Sequence, residues 1–177
     1  LHWKKGYDYA LEAIGTLRAR DIAVEHRIIG DGELLEAVAF WRHQLDLDQV
    51  TNLLGAVAPH EVADHYRWAD VMLHAATSEG FCNAVIEAQA HGLPVVCSDA
   101  DGLAENVEDG TTGLVVPRRD PDALAAALER LARESTTRAM MAASGPERVQ
   151  RCFAVDRQLD AWEHFYAEAI ATRWTPG

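Results

Sequence analysis

Five short stretches read as strands: Ala23 to Ile29, Val50 to Leu54, Val71 to His74, Pro94 to Ser98 and Gly113 to Val116. Between them lie segments whose apolar residues recur at helical spacing, such as Ala10, Leu11, Ile14 and Leu17, or Leu34, Val38, Trp41 and Leu45. Short, largely apolar strands joined by helical crossovers predict a doubly wound α/β fold whose parallel sheet is covered on both faces. Further helices are expected from Pro59 to Trp68, from Asn83 to His91, over Gly102 to Val107, and from Pro121 through Leu131. One more should start near Thr136 and break at Gly145-Pro146, and a last amphipathic helix should run from Val155 to Arg173.

Such sheets bind ligands at the carboxyl ends of their strands. Gly30-Asp31-Gly32, Gly55-Ala56-Val57, Ala75 to Cys82 and Ser98 to Gly102 all follow strands, so they are expected along one rim. The most informative is His74 to Ser98, where Glu79 and Glu87 stand eight residues apart around the start of a helix. Free N–H groups and the helix dipole favour an anion there, and Gly80 permits close backbone approach. Carboxylates accept hydrogen bonds from vicinal hydroxyls, so a phosphate flanked by two of them suits a sugar nucleotide. Spacing alone fits two surface acids beside a helix dipole better. Lys4 and Lys5 precede Gly6 at another helix start, within reach of a phosphate or simply solvated.

The net charge of −12, from 16 basic and 28 acidic residues, argues against a nucleic-acid partner. Cys82, Cys97 and Cys152 form no C-x-x-C pair, which fits a reducing, cytoplasmic setting. No apolar run approaches the roughly 20 residues of a membrane span. The eight histidines make no H-x-x-x-H or H-E-x-x-H, and no metal site is expected; Asp99 and Asp101 alone are too few ligands. His74 follows a strand on the rim and is expected to be packed. Neither G-x-S-x-G nor a P-loop is present, which disfavours a serine hydrolase and a P-loop enzyme.

The run Ser78-Glu79-Gly80-Phe81-Cys82-Asn83-Ala84-Val85-Ile86-Glu87-Ala88, followed by Ala90-His91-Gly92-Leu93-Pro94-Val95-Val96, resembles the E-x7-E motif of retaining family-4 glycosyltransferases. Lys5-Gly6, Ile29-Gly30-Asp31-Gly32, Leu54-Gly55-Ala56-Val57, Trp68-Ala69-Asp70-Val71 and Gly110 to Val116 agree in order, covering about Leu1 to Leu131. The resemblance implies the C-terminal, donor-binding half of a GT-B fold, Rossmann-like over residues 1–154. Residues 155–177 would then be a helix crossing to an N-terminal domain, with Trp162, Phe165, Tyr166 and Trp174 over-exposed here.

It further implies transfer of a hexose from a UDP- or GDP-sugar, with retention and without a cofactor, to a glycan, lipid-linked or small-molecule acceptor held by the N-terminal domain. Peripheral association of the full-length enzyme with the cytoplasmic membrane face is also implied. By resemblance Glu87 holds the ribose, Glu79 lies by the donor sugar, and Lys5 meets the diphosphate. Amides around Gly80, Phe81, Cys82 and Asn83 hold diphosphate or sugar, and Gly30 and Val57 border the donor. Three positions depart from the family pattern: Cys82, where glycine is frequent, Ala76, where serine is common, and Asp101-Gly102, where a glycine pair is usual.

The family's arginine and the first, central strand would fall upstream of Leu1, so residues after Leu1 are not expected to form that strand. The isolated chain is expected to bind donor without turnover. Two other readings remain: a GT-B sugar-nucleotide 2-epimerase, and a non-catalytic nucleotide-binding or interaction module.

Overall fold

The computed structural model describes residues 1–173. A single 3-10 turn at Trp3–Lys5 opens the chain. Then follow α1 (Tyr7–Ala19), β1 (His26–Ile29), α2 (Leu35–Gln44), β2 (Thr51–Gly55), α3 (Pro59–Trp68) and β3 (Met72–His74). The second half holds α4 (Asn83–Ala90), β4 (Val95–Ser98), α5 (Leu103–Asn106), β5 (Gly113–Val116), α6 (Pro121–Arg133), α7 (Ser135–Phe153) and α8 (Val155–Arg173). No described helix is long and apolar enough to cross a membrane.

All strand pairings are parallel, β1 with β2 and β3–β4–β5 in that order. β4 is buried throughout its length, as a middle strand covered on both faces must be. On one face α1, α6 and α7 pack Ala13, Leu124, Leu131 and Met141 against Val96 and Leu114. On the other, Val85, Leu103 and Val107 cover Val95 and Cys97. A third cluster joins Leu11, Ile14 and Leu17 of α1 to Ile28 and Val38.

The sheet is in two pieces. A cavity of about 980 Å³ is lined by His26–Ile29 on one side and Val71–Ala75 on the other. No described strand pairs with both β1 and β3. This seam also shortens its neighbours. Ala23 to Glu25 stay outside β1, and Val71 outside β3, because a strand with one partner lacks half its ladder.

One expectation fails. α7 continues through Gly145-Pro146 rather than breaking there. Proline removes one i−4 hydrogen bond, but α7 lies against α4 so closely that a side chain on Gly145 would stand 2.7 Å from the Gln89 carbonyl oxygen. Packing against α4 outweighs the lost bond. α8 follows with Trp162, Phe165 and Tyr166 exposed, as expected, and Leu159 and Ile170 exposed beside them; Trp174 lies outside the described residues.

Candidate functional site

The rim assembles at the carboxyl ends of the strands, and close backbone approaches fix its geometry. Gly6 has φ +63°, and a methyl group there would overlap the Ala75 carbonyl oxygen and lie 3.0 Å from its carbon. Glycine is therefore required on both counts. The approach is tied by Thr77 N–H donating to the Lys4 carbonyl at 2.7 Å. It places Lys5 beside the loop after β3, where its Nζ donates to Glu79 Oε2.

The same carboxylate oxygen faces His74 Nε2 at 3.3 Å, and that ring nitrogen is 3.6 Å from Cys82 Sγ. The Glu79 side chain is only 16% exposed and that of His74 12%, so the cluster is largely withdrawn from water. Burial raises the Glu79 pKa, but hydrogen bonds from Lys5 and His74 outweigh it and hold the carboxyl below its usual range. Burial, with Lys5 adding to it, holds His74 below its usual value and so neutral. Burial pushes the Cys82 thiol up, although the first amides of α4 and the Lys5 charge pull the other way.

Cys82 is the residue before α4, and its own N–H donates to Asn106 Oδ1 at 2.9 Å. Of the amides assigned to an anion by resemblance, this one is therefore occupied within the protein. Gly80 and Phe81 sit exposed on the loop, with Phe81 edge-on to Phe153 at 5.6 Å, and Asn83 opens α4 on the surface. Glu87 is exposed one turn into α4, 3.3 Å from the Tyr66 hydroxyl. That hydroxyl also lies 3.2 Å from the Ala84 carbonyl, so α3 props the start of α4.

Gly30 closes β1 at φ +124°, its N–H donating to the Gly55 carbonyl at 2.7 Å, and Val57 follows β2 at the same end. A methyl group on Gly102 would overlap the Gly80 carbonyl oxygen, and the Gly102 N–H donates to the Glu79 carbonyl at 3.0 Å. The preceding residue, Asp101, takes φ +45°, a region that favours glycine.

Asp99 and Asp101 share one arginine. Arg118, just past β5, bonds Asp101 at 3.0 Å and Asp99 at 3.3 Å, and reaches the Thr77 carbonyl at 3.5 Å. The sequence reading passed over Arg118, although a cation at a carboxyl-terminal strand end is a usable signal. It also passed over Tyr66 and Asn106, for which sequence offers no signal.

The rim thus brings Lys5, His74, Glu79 and Cys82 into one cluster; Lys5, His74 and Cys82 share a cavity with Tyr66 and Glu87, and Gly30 and Val57 stand at the neighbouring strand ends. A cation, a carboxylate and a helix N-terminus facing one cavity can hold an anionic, hydroxylated ligand.

Proteins of similar sequence include glycosyltransferases. The D-inositol 3-phosphate glycosyltransferase of Saccharomonospora viridis is 33% identical over 94% of this chain, which spans 41% of that protein. A putative colanic acid biosynthesis glycosyltransferase of Salmonella typhimurium is 34% identical over 88% of the chain, again 41% of the relative. The chain thus spans about two fifths of these relatives.

Among solved structures, sucrose-phosphate synthase from Thermosynechococcus elongatus superposes with a TM-score of 0.86 at 24% identity, over 97% of this chain and 44% of that one. Anabaena HepE in complex with UDP gives 0.82 at 21%, over 97% and 46%. These likenesses establish the fold, that of one half of a GT-B architecture. The family described as glycosyl transferases group 1 matches residues 1–134. That match runs through every element building the rim, from the Lys5 turn to β5 and on to α6, and the chain belongs to the group 1 glycosyl transferases.

Proposed function

We propose that this chain is the donor-binding half of a retaining glycosyltransferase and holds a UDP- or GDP-linked hexose across the N-terminus of α4. The observation that carries this reading is the Lys5–Glu79 pair beside that helix start. The diphosphate lies against Lys5 and the amides of Gly80 and Phe81, Glu79 meets the sugar hydroxyls, and Glu87 accepts from the ribose. Gly30 and Val57 border the site. HepE structures with UDP and with UDP-glucose support the donor class.

In the transfer, the bond from the anomeric carbon to the phosphate oxygen breaks. The acceptor oxygen bonds that carbon on the same face, and its proton passes to the departing phosphate. Lys5 and the dipole of α4 stabilise the charge developing on the diphosphate. Glu79 is already ionised in the folded chain and acts by orienting the sugar. No resident cofactor is needed for these steps.

The acceptor, a glycan, lipid-linked sugar or small molecule, is held by the other half of the enzyme, whose cytoplasmic placement at the membrane face belongs to the same reading. This chain alone binds donor without turnover. Calorimetric titration with UDP-glucose and GDP-mannose tests it. Glu87→Ala should weaken donor binding by about tenfold or more, the worth of one hydrogen bond to a charged group. Absence of binding to any nucleotide sugar, with no effect of Glu87→Ala, would leave a non-catalytic module.

A further inference from the structure

His74, Glu79 and Cys82 each present one potential ligand atom, and the three atoms lie within 4.8 Å of one another. Around a tetrahedral zinc ion with bonds near 2.0–2.1 Å to nitrogen and oxygen and 2.3 Å to sulfur, neighbouring ligand atoms stand about 3.4–3.6 Å apart. The observed separations are 3.3 Å from His74 Nε2 to Glu79 Oε2 and 3.6 Å from His74 Nε2 to Cys82 Sγ. The third pair, Glu79 to Cys82, lies within 4.8 Å. Nitrogen, sulfur and one carboxylate make a donor set for a thiophilic divalent cation, not for magnesium.

We infer that the His74–Glu79–Cys82 cluster is an inhibitory binding site for zinc-like cations, which take the place that the Lys5 ammonium now holds on Glu79. The cation adds two charges; the Glu79 carboxylate and the Cys82 thiolate balance them, and the thiol proton leaves to solvent as the sulfur–metal bond forms. Lys5 is about one-third exposed and can swing out. With three protein ligands, the fourth position is left to water. Drawing Glu79 onto the metal and Lys5 off it removes two contacts assigned above to the donor. Competition with the donor rests on that assignment; metal binding itself does not.

The probe is Cd²⁺ added to the purified chain, read by ultraviolet thiolate-to-metal charge-transfer absorption. One equivalent should saturate the band. Cys82→Ser should abolish it, His74→Gln should weaken binding about tenfold or more, and Cys152→Ser should leave it intact. A measurement needing no substitution accompanies these: Zn²⁺ should protect Cys82 from iodoacetamide in the unaltered chain, mapped by mass spectrometry. A band that survives in Cys82→Ser, or disappears in Cys152→Ser, overturns the site, as does Cys82 alkylation that Zn²⁺ fails to slow. Bound Zn²⁺ should also raise the apparent Kd for UDP-glucose by about tenfold. A chain that protects Cys82 with Zn²⁺ yet ignores every nucleotide sugar would uphold the metal site and refute the donor reading. Donor binding indifferent to Zn²⁺ would refute the inhibition.

Discussion

Two glycines of the same helix region should respond to the same substitution with opposite signs. Gly6→Ala meets two penalties. Its φ of +63° costs an L-residue about 1 kcal/mol. Its new methyl group overlaps the Ala75 carbonyl oxygen, so the loop must retreat by about 1 Å, an overpacking cost of about 1–3 kcal/mol. Together they destabilise by about 2–4 kcal/mol, which for a chain of this size lowers Tm by about 4–16 °C. The retreat also separates Lys5 from Glu79, so UDP-glucose binding should weaken in the variant even where it is fully folded. Gly15 lies inside α1, and a methyl group there meets nothing within 4 Å. Gly15→Ala should instead stabilise by about 0.5–1 kcal/mol, since alanine loses less backbone entropy in a helix. Differential scanning calorimetry of the two variants beside the parent reads both signs. A Gly6→Ala chain melting within about 1 °C of the parent, against the loss calculated from its φ and overlap, would show that α1 and the loop after β3 do not approach as described.

Gly102→Ala should act on the same loop from the other side. Its φ is ordinary, so only the overlap with the Gly80 carbonyl costs, about 1–3 kcal/mol by chemical denaturation, with weaker donor binding because Glu79 moves. His26 should make the fold acid-sensitive. Burial lowers its pKa to about 4 from 6.5, so its neutral form is favoured on folding. That contribution is whole above pH 6.5 and is lost as pH falls towards 4, to a total of at most about 3 kcal/mol, and His26→Gln should flatten the profile in that window. Native alkylation should follow exposure: Cys152 first, Cys82 slowly, and Cys97 last, its thiol fully buried and pushed up to about 12.

Much of this was legible in the residues. β5 and α3 run over the spans that apolar runs and an N-terminal proline indicate, and α4 starts where the loop chemistry places a helix end. Local pattern failed where a tertiary contact overrode it. Pro146 reads as a breaker until α4 is seen against Gly145, and Ala23 to Glu25 read as strand until the neighbouring ladder proves absent. The site was half legible. Motif order placed Lys5 and Glu79 together. It gave no hint that His74 turns toward Cys82, because a loop of irregular backbone carries no angular period, nor that Asn106, 24 residues on, takes the Cys82 amide.

The seam between β1 and β3 bears on cooperativity. The His26 and Gly30 amides donate toward β2, so by alternation those of Arg27 and Ile29 point into the seam. No described backbone ladder joins β2–β1 to β3–β4–β5; what couples them is side-chain packing, chiefly Leu11, Ile14 and Leu17 of α1 with Leu73 and Leu128 beyond. Side-chain packing transmits stability less sharply than a continuous ladder, so in this chain the two strand groups should open with different free energies. Amide exchange should find the β1–β2 half opening at lower free energy than the half that carries α4, which leaves the Glu79 loop ordered while half of its cavity wall breathes.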